Sequence, residues 1–224
     1  MPTSTTTVDA VLFDWDGTLM DTKEAILRSY REASTEIYGE PYPTDPGQLE
    51  QLIQLRAKES FLVVARGDEQ RAAQVGVRFG EAYARNQRWA TPFAGIAEAL
   101  RELVALGVQV GVATSKARSR FEADAERAGV RDLFAVTITG DDVTVAKPDP
   151  EPVTRAITEL GLEPASCFYV GDGPNDVLAA RAAGAVTVGV AWGFHPEECR
   201  EAGPQLFVAD PAELVDAVRR DRGA

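Results

Sequence analysis

Two acidic side chains stand two positions apart where an apolar run ends. Asp14 and Asp16 follow the run at residues 11–13, which predicts a buried strand that leads into a loop. Open α/β sheets bind ligands at the edge where the carboxyl ends of their strands meet. Two close carboxylates at that edge can hold a divalent cation while one of them attacks a phosphorus atom. An Asp before Gly, as Asp16 is before Gly17, is more often a turn or cap residue, so other segments must decide between these interpretations.

Two later segments supply further groups that a phosphate site needs. Thr114 and Ser115 follow a predicted strand at residues 108–113, and a hydroxyl with free amides at that position can hold phosphate oxygens. The same pair could instead only cap the next helix. Lys147 follows the third predicted strand, and its compact charge suits phosphate or a phosphoryl group in transfer. Most lysines, however, are solvated on the surface.

A last segment places two more acids after the fourth predicted strand. Asp172 is expected to face the same sheet edge as Asp14. Gly171 lets the backbone approach a ligand closely. Asp176 begins the next helix, where it could either cap that helix or orient Lys147. Because groups of these types follow four separate strands, their joint presence favours one phosphate-handling site over four unrelated turns.

The alternation of strand and helix patterns organises these segments into one sheet. Beyond residue 92, apolar runs alternate with amphipathic stretches, and repeated β-α-β units imply a parallel, doubly wound, Rossmann-like sheet. Residues 22–91 show helical periodicity without a convincing strand. The sequence thus predicts a Rossmann-like catalytic core at 1–21 and 92–224, and an inserted α-helical cap domain at 22–91 over the active edge. Strands are predicted at residues 8–14, 108–113, 133–138, 167–171, 186–191 and 206–208.

Composition limits the partners and the location that we expect. The 224 residues carry a formal net charge of −12, which argues against a nucleic-acid partner because no basic stripe is available to meet phosphates. A small anionic substrate is still compatible, since a lysine and a metal ion in one pocket can outweigh the global charge. No apolar run approaches the ~18 residues of a membrane helix, and no Lys or Arg precedes Lys23, so the basic start of a secretory signal is missing. Cys167 and Cys199 are expected to be unpaired, which fits a cytoplasmic protein.

These motifs resemble those of the haloacid dehalogenase (HAD) superfamily, specifically its phosphatases with a small helical cap of the C1 type inserted after the first strand. The resemblance covers nearly the whole chain, and the subgroup it resembles is the phosphoglycolate phosphatases. It implies that Asp14 is the nucleophile and Asp16 the general acid and base. It also implies that Thr114, Ser115 and Lys147 bind the phosphate.

The same resemblance implies a cofactor and a reaction. Mg²⁺ would be bound by the Asp14 side chain, the Asp16 backbone carbonyl and Asp172, with Asp176 as a supporting acid. The reaction would be hydrolysis of a small phosphate monoester, such as phosphoglycolate or a sugar phosphate, through an aspartyl-phosphate. Two alternatives stay open. A phosphomutase of the same fold would keep all these residues, whereas a protein that binds phosphate esters but has lost catalysis would be expected to lack one acid of the first pair.

Two residues near the expected site are assigned no chemistry. Trp15 departs from the family pattern, in which a smaller aliphatic residue is usual, and its side chain is expected to point away from the acids on either side. His195 lies in the loop after the fifth predicted strand. It is interpreted as a loop residue, because Asp16 already fills the acid–base role.

Arg56 in the cap offers a test of substrate selection. Surface charge is ordinary, so the simplest interpretation of Arg56 and Lys58 is a solvated helix face. If Arg56 instead binds a carboxylate or sugar hydroxyl at the substrate's far end, Arg56→Ala should lower kcat/KM for the best physiological ester by about 1.5–3 kcal/mol. A generic aryl phosphate should be spared. Equal losses on both substrates would indicate a structural role, and no loss on either would leave Arg56 on the solvated surface.

Overall fold

The structure, a computed structural model, describes residues 7–55 and 57–223. Within these residues the chain forms two compact units. We call residues 7–21 and 92–223 the sheet unit, and residues 22–91 the helical unit. Arg56 is not among the described residues.

Six parallel strands of the described chain form the central sheet. Their order, β5-β4-β1-β6-β7-β8, reverses direction at β1, as in the doubly wound sheets that bind ligands at their switch point. The doubly wound parallel fold predicted from the sequence is thus confirmed. These six strands are β1 (Ala10–Phe13), β4 (Gln109–Ala113), β5 (Val136–Ile138), β6 (Cys167–Gly171), β7 (Val186–Val190) and β8 (Leu206–Val208). Two further short strands outside this sheet are β2 (Met20–Asp21) and β3 (Thr91–Pro92).

The helices divide between the two units. Those of the helical unit are α1 (Lys23–Tyr38), α2 (Pro46–Gln54), α3 (Ala57–Val64) and α4 (Glu69–Asn86). Those of the sheet unit are α5 (Ile96–Ala105), α6 (Arg118–Ala128), α7 (Glu151–Leu160), α8 (Pro174–Ala183), α9 (Pro196–Glu201) and α10 (Pro211–Arg222). Short 3-10 helices lie at Gln87–Trp89, Arg131–Leu133 and Pro164–Ser166. In the described part of the chain, we find no helix with the length and apolar character that crossing a membrane requires.

The central strands are apolar and buried along their whole length. Every residue of β1 and of β6 is buried, as expected for strands of a parallel sheet that is covered on both faces. The residues of β1 pair in register with both neighbours, so that Leu12 lies beside Gly111 of β4 and Tyr169 of β6. Cys167 on β6 and Cys199 on α9 are buried and free, which confirms that they are unpaired.

The helical unit has its own aromatic core. The ring centroids of Tyr30 on α1 and Phe79 on α4 lie 4.5 Å apart, and Phe61 on α3 lies 5.5 Å from Phe79. Such aromatic pairs contribute beyond their buried area. The apolar run at residues 61–64, whose helical surroundings favoured a helix over a strand, does lie in α3.

The largest error in a predicted strand start concerns β5. The run from residue 133 was expected to be extended throughout, but Leu133 closes a 3-10 helix and the strand starts at Val136. The chain leaves α6 through the left-handed Gly129 and needs this extra turn before it can enter the sheet. Apolar character alone does not distinguish a buried turn from a buried strand.

Gly111 gives a test of how tightly the sheet is packed. A β-carbon there would overlap Val136 and would lie 2.7 Å from Leu12 Cδ2. Gly111→Ala should therefore overpack the core and lower the free energy of unfolding by about 1–3 kcal/mol. Gly80→Ala on α4 is the matched control, since nothing lies within 4 Å of a β-carbon there and alanine favours a helix by roughly 0.5–1 kcal/mol. Urea denaturation followed by circular dichroism measures both variants, and equal losses of stability would contradict the packing argument.

Candidate active site

The predicted site residues follow neighbouring strands at the switch point of the sheet. Asp14 comes directly after β1 and Asp172 directly after β6, and these strands are paired. The backbone N–H of Asp14 donates to the carbonyl of Val170 at 2.9 Å, so the ladder continues to the first residue of the loop. The two carboxylates therefore arrive at one edge because the strands that carry them are adjacent.

Two buried carboxylates and one half-buried carboxylate meet at this edge. Asp14, Asp172 and Asp176 each offer an oxygen, and the three atoms lie within 4.8 Å of one another. Burial raises the pKa of Asp14 from its ordinary 3.8 to about 6, although Lys147 opposes the rise. Burial, and then the charges of Asp176 and Asp14, raise the pKa of Asp172 well above its ordinary value. The cluster thus carries more negative charge than its surroundings neutralise.

Lys147 is the cation that joins two of these acids. Its Nζ lies 2.8 Å from Asp14 Oδ1 and donates to Asp176 Oδ1 at 2.6 Å. Burial alone would lower the pKa of Lys147, but the charges of Asp14 and Asp176 outweigh it and raise the pKa well above its ordinary value. Lys147 therefore stays protonated. Tyr169 holds it from the sheet, since the Lys147 ammonium also donates to Tyr169 Oη at 3.0 Å and that hydroxyl donates to the Ala113 carbonyl at 2.7 Å.

Asp176 both caps α8 and binds Lys147, the two roles that its position in the sequence allowed. Its Oδ2 accepts from the backbone N–H of Gly173 at 3.1 Å, which caps α8, while its Oδ1 accepts from Lys147. Pro174 occupies the first position of the helix, where its missing N–H costs nothing. The cap therefore fixes Asp176 at the point where it can hold the lysine.

A loop that sequence reasoning did not assign to the site fixes Asp172. The backbone N–H of Phe194 donates to Asp172 Oδ2 at 2.8 Å, and Thr18 Oγ1 donates to Oδ1 at 3.2 Å. A β-carbon on Gly193 would overlap Asp172, so only glycine allows this approach. Trp192 Nε1 donates to the Thr18 carbonyl at 2.9 Å. The sequence could have indicated this loop by its position, because it follows β7 and therefore begins at the same edge of the sheet.

The second acid of the motif has a different environment. The Asp16 side chain is 27% exposed, and its Oδ1 accepts from Lys116 Nζ at 2.7 Å. Lys116 was not predicted as a site residue, although it directly follows Ser115. Trp15 lies between the two acids, and its indole is fully buried against Phe121 at 4.7 Å between ring centroids. This packing agrees with the expectation that Trp15 points away from the acids.

Thr114 and Ser115 lie in the loop after β4, the other neighbour of β1. Neither caps the helix that follows, because Ala117 occupies the N-cap of α6 and no side chain caps it. The Thr114 hydroxyl is buried beside the loop and accepts from the backbone N–H of Lys116 at 3.3 Å, whereas Ser115 is exposed. The simple capping interpretation is therefore wrong for both residues.

The donor set fits a divalent cation that prefers oxygen ligands. Oxygen atoms of carboxylates are the ligands that Mg²⁺ and Ca²⁺ prefer. The hydrogen-bond partners of the buried Asp172 are neutral, namely the Thr18 hydroxyl and the Phe194 amide. These neutral partners leave the negative charge of Asp172 unbalanced, so a cation could bind it beside Asp14.

Two residues that the sequence analysis assigned no chemistry are placed as follows. His195 is buried at the start of α9, and Lys58 is an exposed residue of α3.

The chain is similar to several known proteins over most of its length. A family model described as haloacid dehalogenase-like hydrolase matches residues 11–190. The pyrophosphatase PpaX of Bacillus pumilus is 31% identical over 96% of this chain and 98% of its own length. The N-acetylmuramic acid 6-phosphate phosphatase of Pseudomonas aeruginosa is 32% identical over 94% of this chain and 95% of its own length. The crystal structure of CbbY from Rhodobacter sphaeroides in complex with phosphate has a TM-score of 0.81 and 26% identity, and the match covers 92% of this chain and 96% of that one.

The excess negative charge of the carboxylate cluster predicts how the stability of the folded protein depends on pH. Because the pKa of Asp14 rises from 3.8 to about 6 on folding, its protonation favours the folded state. This contribution is complete below pH 3.8 and is lost as the pH rises through about 6. Asp14→Asn is uncharged at every pH. In EDTA its Tm, minus that of the wild type, should be near zero at pH 4 and positive by several degrees at pH 8.

Added Mg²⁺ should reverse that difference. A cation that binds the folded site raises the wild-type Tm at pH 8 and should raise the Tm of Asp14→Asn much less. Differential scanning fluorimetry over a pH series measures both effects. A difference that does not change with pH in EDTA would contradict the assignment of Asp14 to a charge-rich buried cluster.

Proposed function

Because the chain belongs to the haloacid dehalogenase-like hydrolase family, we propose that it is a Mg²⁺-dependent phosphatase that hydrolyses a small phosphate monoester through an aspartyl-phosphate on Asp14. The observation that carries this proposal is the cluster of Asp14, Asp172 and Asp176, in which Lys147 pairs with Asp14 and Asp176. Relatives whose names state phosphate chemistry add support, as does the phosphate bound to CbbY.

The first step transfers the phosphoryl group to Asp14. A carboxylate oxygen of Asp14 forms a bond to phosphorus as the bond from phosphorus to the leaving oxygen breaks. Lys147 lies 2.8 Å from Asp14 Oδ1, so it holds the nucleophile and can also bind the oxygens of the phosphoryl group. The Thr114 hydroxyl and the Ser115 backbone amide are assigned to the same oxygens, where donors stabilise the charge of the transition state.

Asp16 moves the protons in both steps. It protonates the oxygen of the departing alcohol and then accepts a proton from the water that attacks the aspartyl-phosphate. The products are the alcohol and inorganic phosphate, and both Asp14 and Asp16 return to their initial states. The partial exposure of Asp16 supports this role, because the group must reach a substrate that enters from solvent.

A bound Mg²⁺ would offset the repulsion between the Asp14 carboxylate and the dianionic phosphate. The Asp14 side chain, Asp172 and the backbone carbonyl of Asp16 are the proposed ligands, with Asp176 as the supporting acid. The Phe194 amide and the Thr18 hydroxyl hold the Asp172 carboxylate in place. This support restricts the orientation of one ligand before any ion binds.

We assign the sheet unit as the catalytic core and the helical unit as the cap domain, which would exclude bulk water and select the leaving group. The proposed substrates are small phosphate esters of the phosphoglycolate or sugar-phosphate type. We also place the protein in the cytoplasm, since its two cysteines are free and reduced thiols are typical there.

A screen of purified protein with Mg²⁺ tests the activity. It should include phosphoglycolate, sugar phosphates, N-acetylmuramic acid 6-phosphate and pyrophosphate, with free phosphate as the readout. Release of phosphate from one of the monoesters is the expected result. A phosphorylated isomer of the substrate without free phosphate would instead identify a phosphomutase, and binding without turnover would identify a protein that has lost catalysis.

Asp14→Asn tests the nucleophile. The amide is nearly isosteric but cannot form an acyl-phosphate, so turnover should fall to background while the fold persists. Asp216→Asn is the matched control, because Asp216 lies on the exposed surface of α10, and it should keep full activity. Circular dichroism confirms folding of both variants. Substantial Mg²⁺-dependent hydrolysis by folded Asp14→Asn would show that another group attacks phosphorus.

A further inference from the structure

Asp16 is tied to a buried acid through a lysine that the reaction scheme above does not use. Lys116 Nζ lies 2.7 Å from Asp16 Oδ1 and 3.2 Å from Asp124 Oδ2 on α6. We propose that Lys116 is a positioning residue that fixes the carboxylate of Asp16 for proton transfer to the leaving oxygen. This inference rests on the proposed function, because it assigns a partner to the general acid of that reaction.

The burial of Lys116 and Asp124 indicates that their ion pair serves to orient Asp16. The side chain of Lys116 is 3% exposed and that of Asp124 is fully buried. Buried ion pairs lose much of their attraction to desolvation and are weak evidence for stability. A buried charge of this kind is better explained by the need to hold a partner in one place. Asp124 is also paired with the partly exposed Arg127. The partner held by Lys116 is Asp16, the acid of the network that reaches solvent.

The backbone at Lys116 is itself fixed to the sheet. The carbonyl of Lys116 accepts from the backbone N–H of Gly140 at 2.9 Å, and its own N–H donates to Thr114 Oγ1 at 3.3 Å. A β-carbon on Gly140 would lie 2.5 Å from the Ser115 carbonyl oxygen, so the loops after β4 and β5 are in close contact. The Lys116 side chain therefore extends from a hydrogen-bonded backbone to the buried carboxylate of Asp124 on α6.

This geometry gives the two oxygens of Asp16 different tasks. Oδ1 accepts from Lys116, which leaves Oδ2 to carry the transferred proton. Without the lysine, a partly exposed aspartate can occupy several rotamers, and only some of them would aim Oδ2 at the leaving oxygen. Small errors in the position of a catalytic group can reduce the rate by about 10²-fold. Loss of Lys116 should therefore resemble a partial loss of Asp16.

Leaving groups of different basicity provide the test. A poor leaving group such as phenolate needs the proton from Asp16, whereas p-nitrophenolate leaves readily without it. We expect Lys116→Met to lower kcat/KM by roughly 10–100-fold for phenyl phosphate and to affect p-nitrophenyl phosphate much less. kcat/KM reports formation of the aspartyl-phosphate, the step in which the leaving group departs.

Two further variants separate positioning from structure. In an Asp16→Asn background, Lys116→Met should cause no additional selective loss, because a residue that acts through Asp16 has nothing left to position. Lys116→Met combined with Asp124→Asn removes both charges of the buried pair together. This double variant should show the same selective loss for phenyl phosphate. Thermal melts show whether Lys116→Met alone is folded. If it is not, the double variant is used for the test instead.

The outcomes distinguish this inference from the proposed function. Equal losses on both esters, additive losses in the Asp16→Asn background, or no loss on either ester would overturn the role of Lys116 while the phosphatase proposal stands. A folded wild-type enzyme that hydrolyses neither ester with Mg²⁺ would contradict the proposed function and, with it, this inference. A selective loss that disappears in the Asp16→Asn background supports both.

Discussion

One buried ammonium group holds the charged edge of the sheet together. Lys147 Nζ lies within 2.8 Å of Asp14 and 2.6 Å of Asp176, in a region where three carboxylates approach one another. Without a cation between them, their repulsion and desolvation would force protonation of the acids or displacement of the strands that carry them. Lys147 therefore offsets part of the negative charge that gathers after β1, after β6 and at the start of α8, and an additional cation would complete the neutralisation that it begins.

Each acid of the Asp-x-Asp motif is bound by a buried lysine that also binds an acid on a neighbouring helix. Lys147 links Asp14 to Asp176 on α8, and Lys116 links Asp16 to Asp124 on α6. The surroundings of the two acids nevertheless differ, because Asp14 lies beside two other carboxylates, whereas the Asp16 side chain is the more exposed of the two. Two carboxylates in unlike environments can take unlike roles in one reaction. Here the environments agree with a nucleophile that needs neutralisation and an acid that needs access.

Sequence reasoning placed at one edge the residues that follow parallel strands. Asp14 and Asp172 directly follow two paired strands, so topology alone brings them together. Lys147 lies in the loop after β5, which ends at Ile138, so the course of that loop also decides where the lysine lies. Tyr169 and Lys116 were missed because their contacts join residues far apart in the chain, with Lys116 and Asp16 separated by 100 positions. No local pattern records such a contact. The start of β5 was misplaced for the opposite reason, since an apolar run has the same appearance in a turn as in a strand.

The interruption of the sheet unit by residues 22–91 has a consequence for how the chain folds. β1 is the central strand, yet its partners are β4 and β6, and Ala10 pairs with Gln109 and Cys167. During synthesis β1 emerges before β4 and β6 and stays unpaired and apolar, while α1 to α4 make contacts such as Tyr30 with Phe79 that span fewer residues. Local contacts form sooner than distant ones, so the helical unit is expected to fold before the sheet. A nascent chain with an exposed central strand is prone to aggregation until its distant partners arrive.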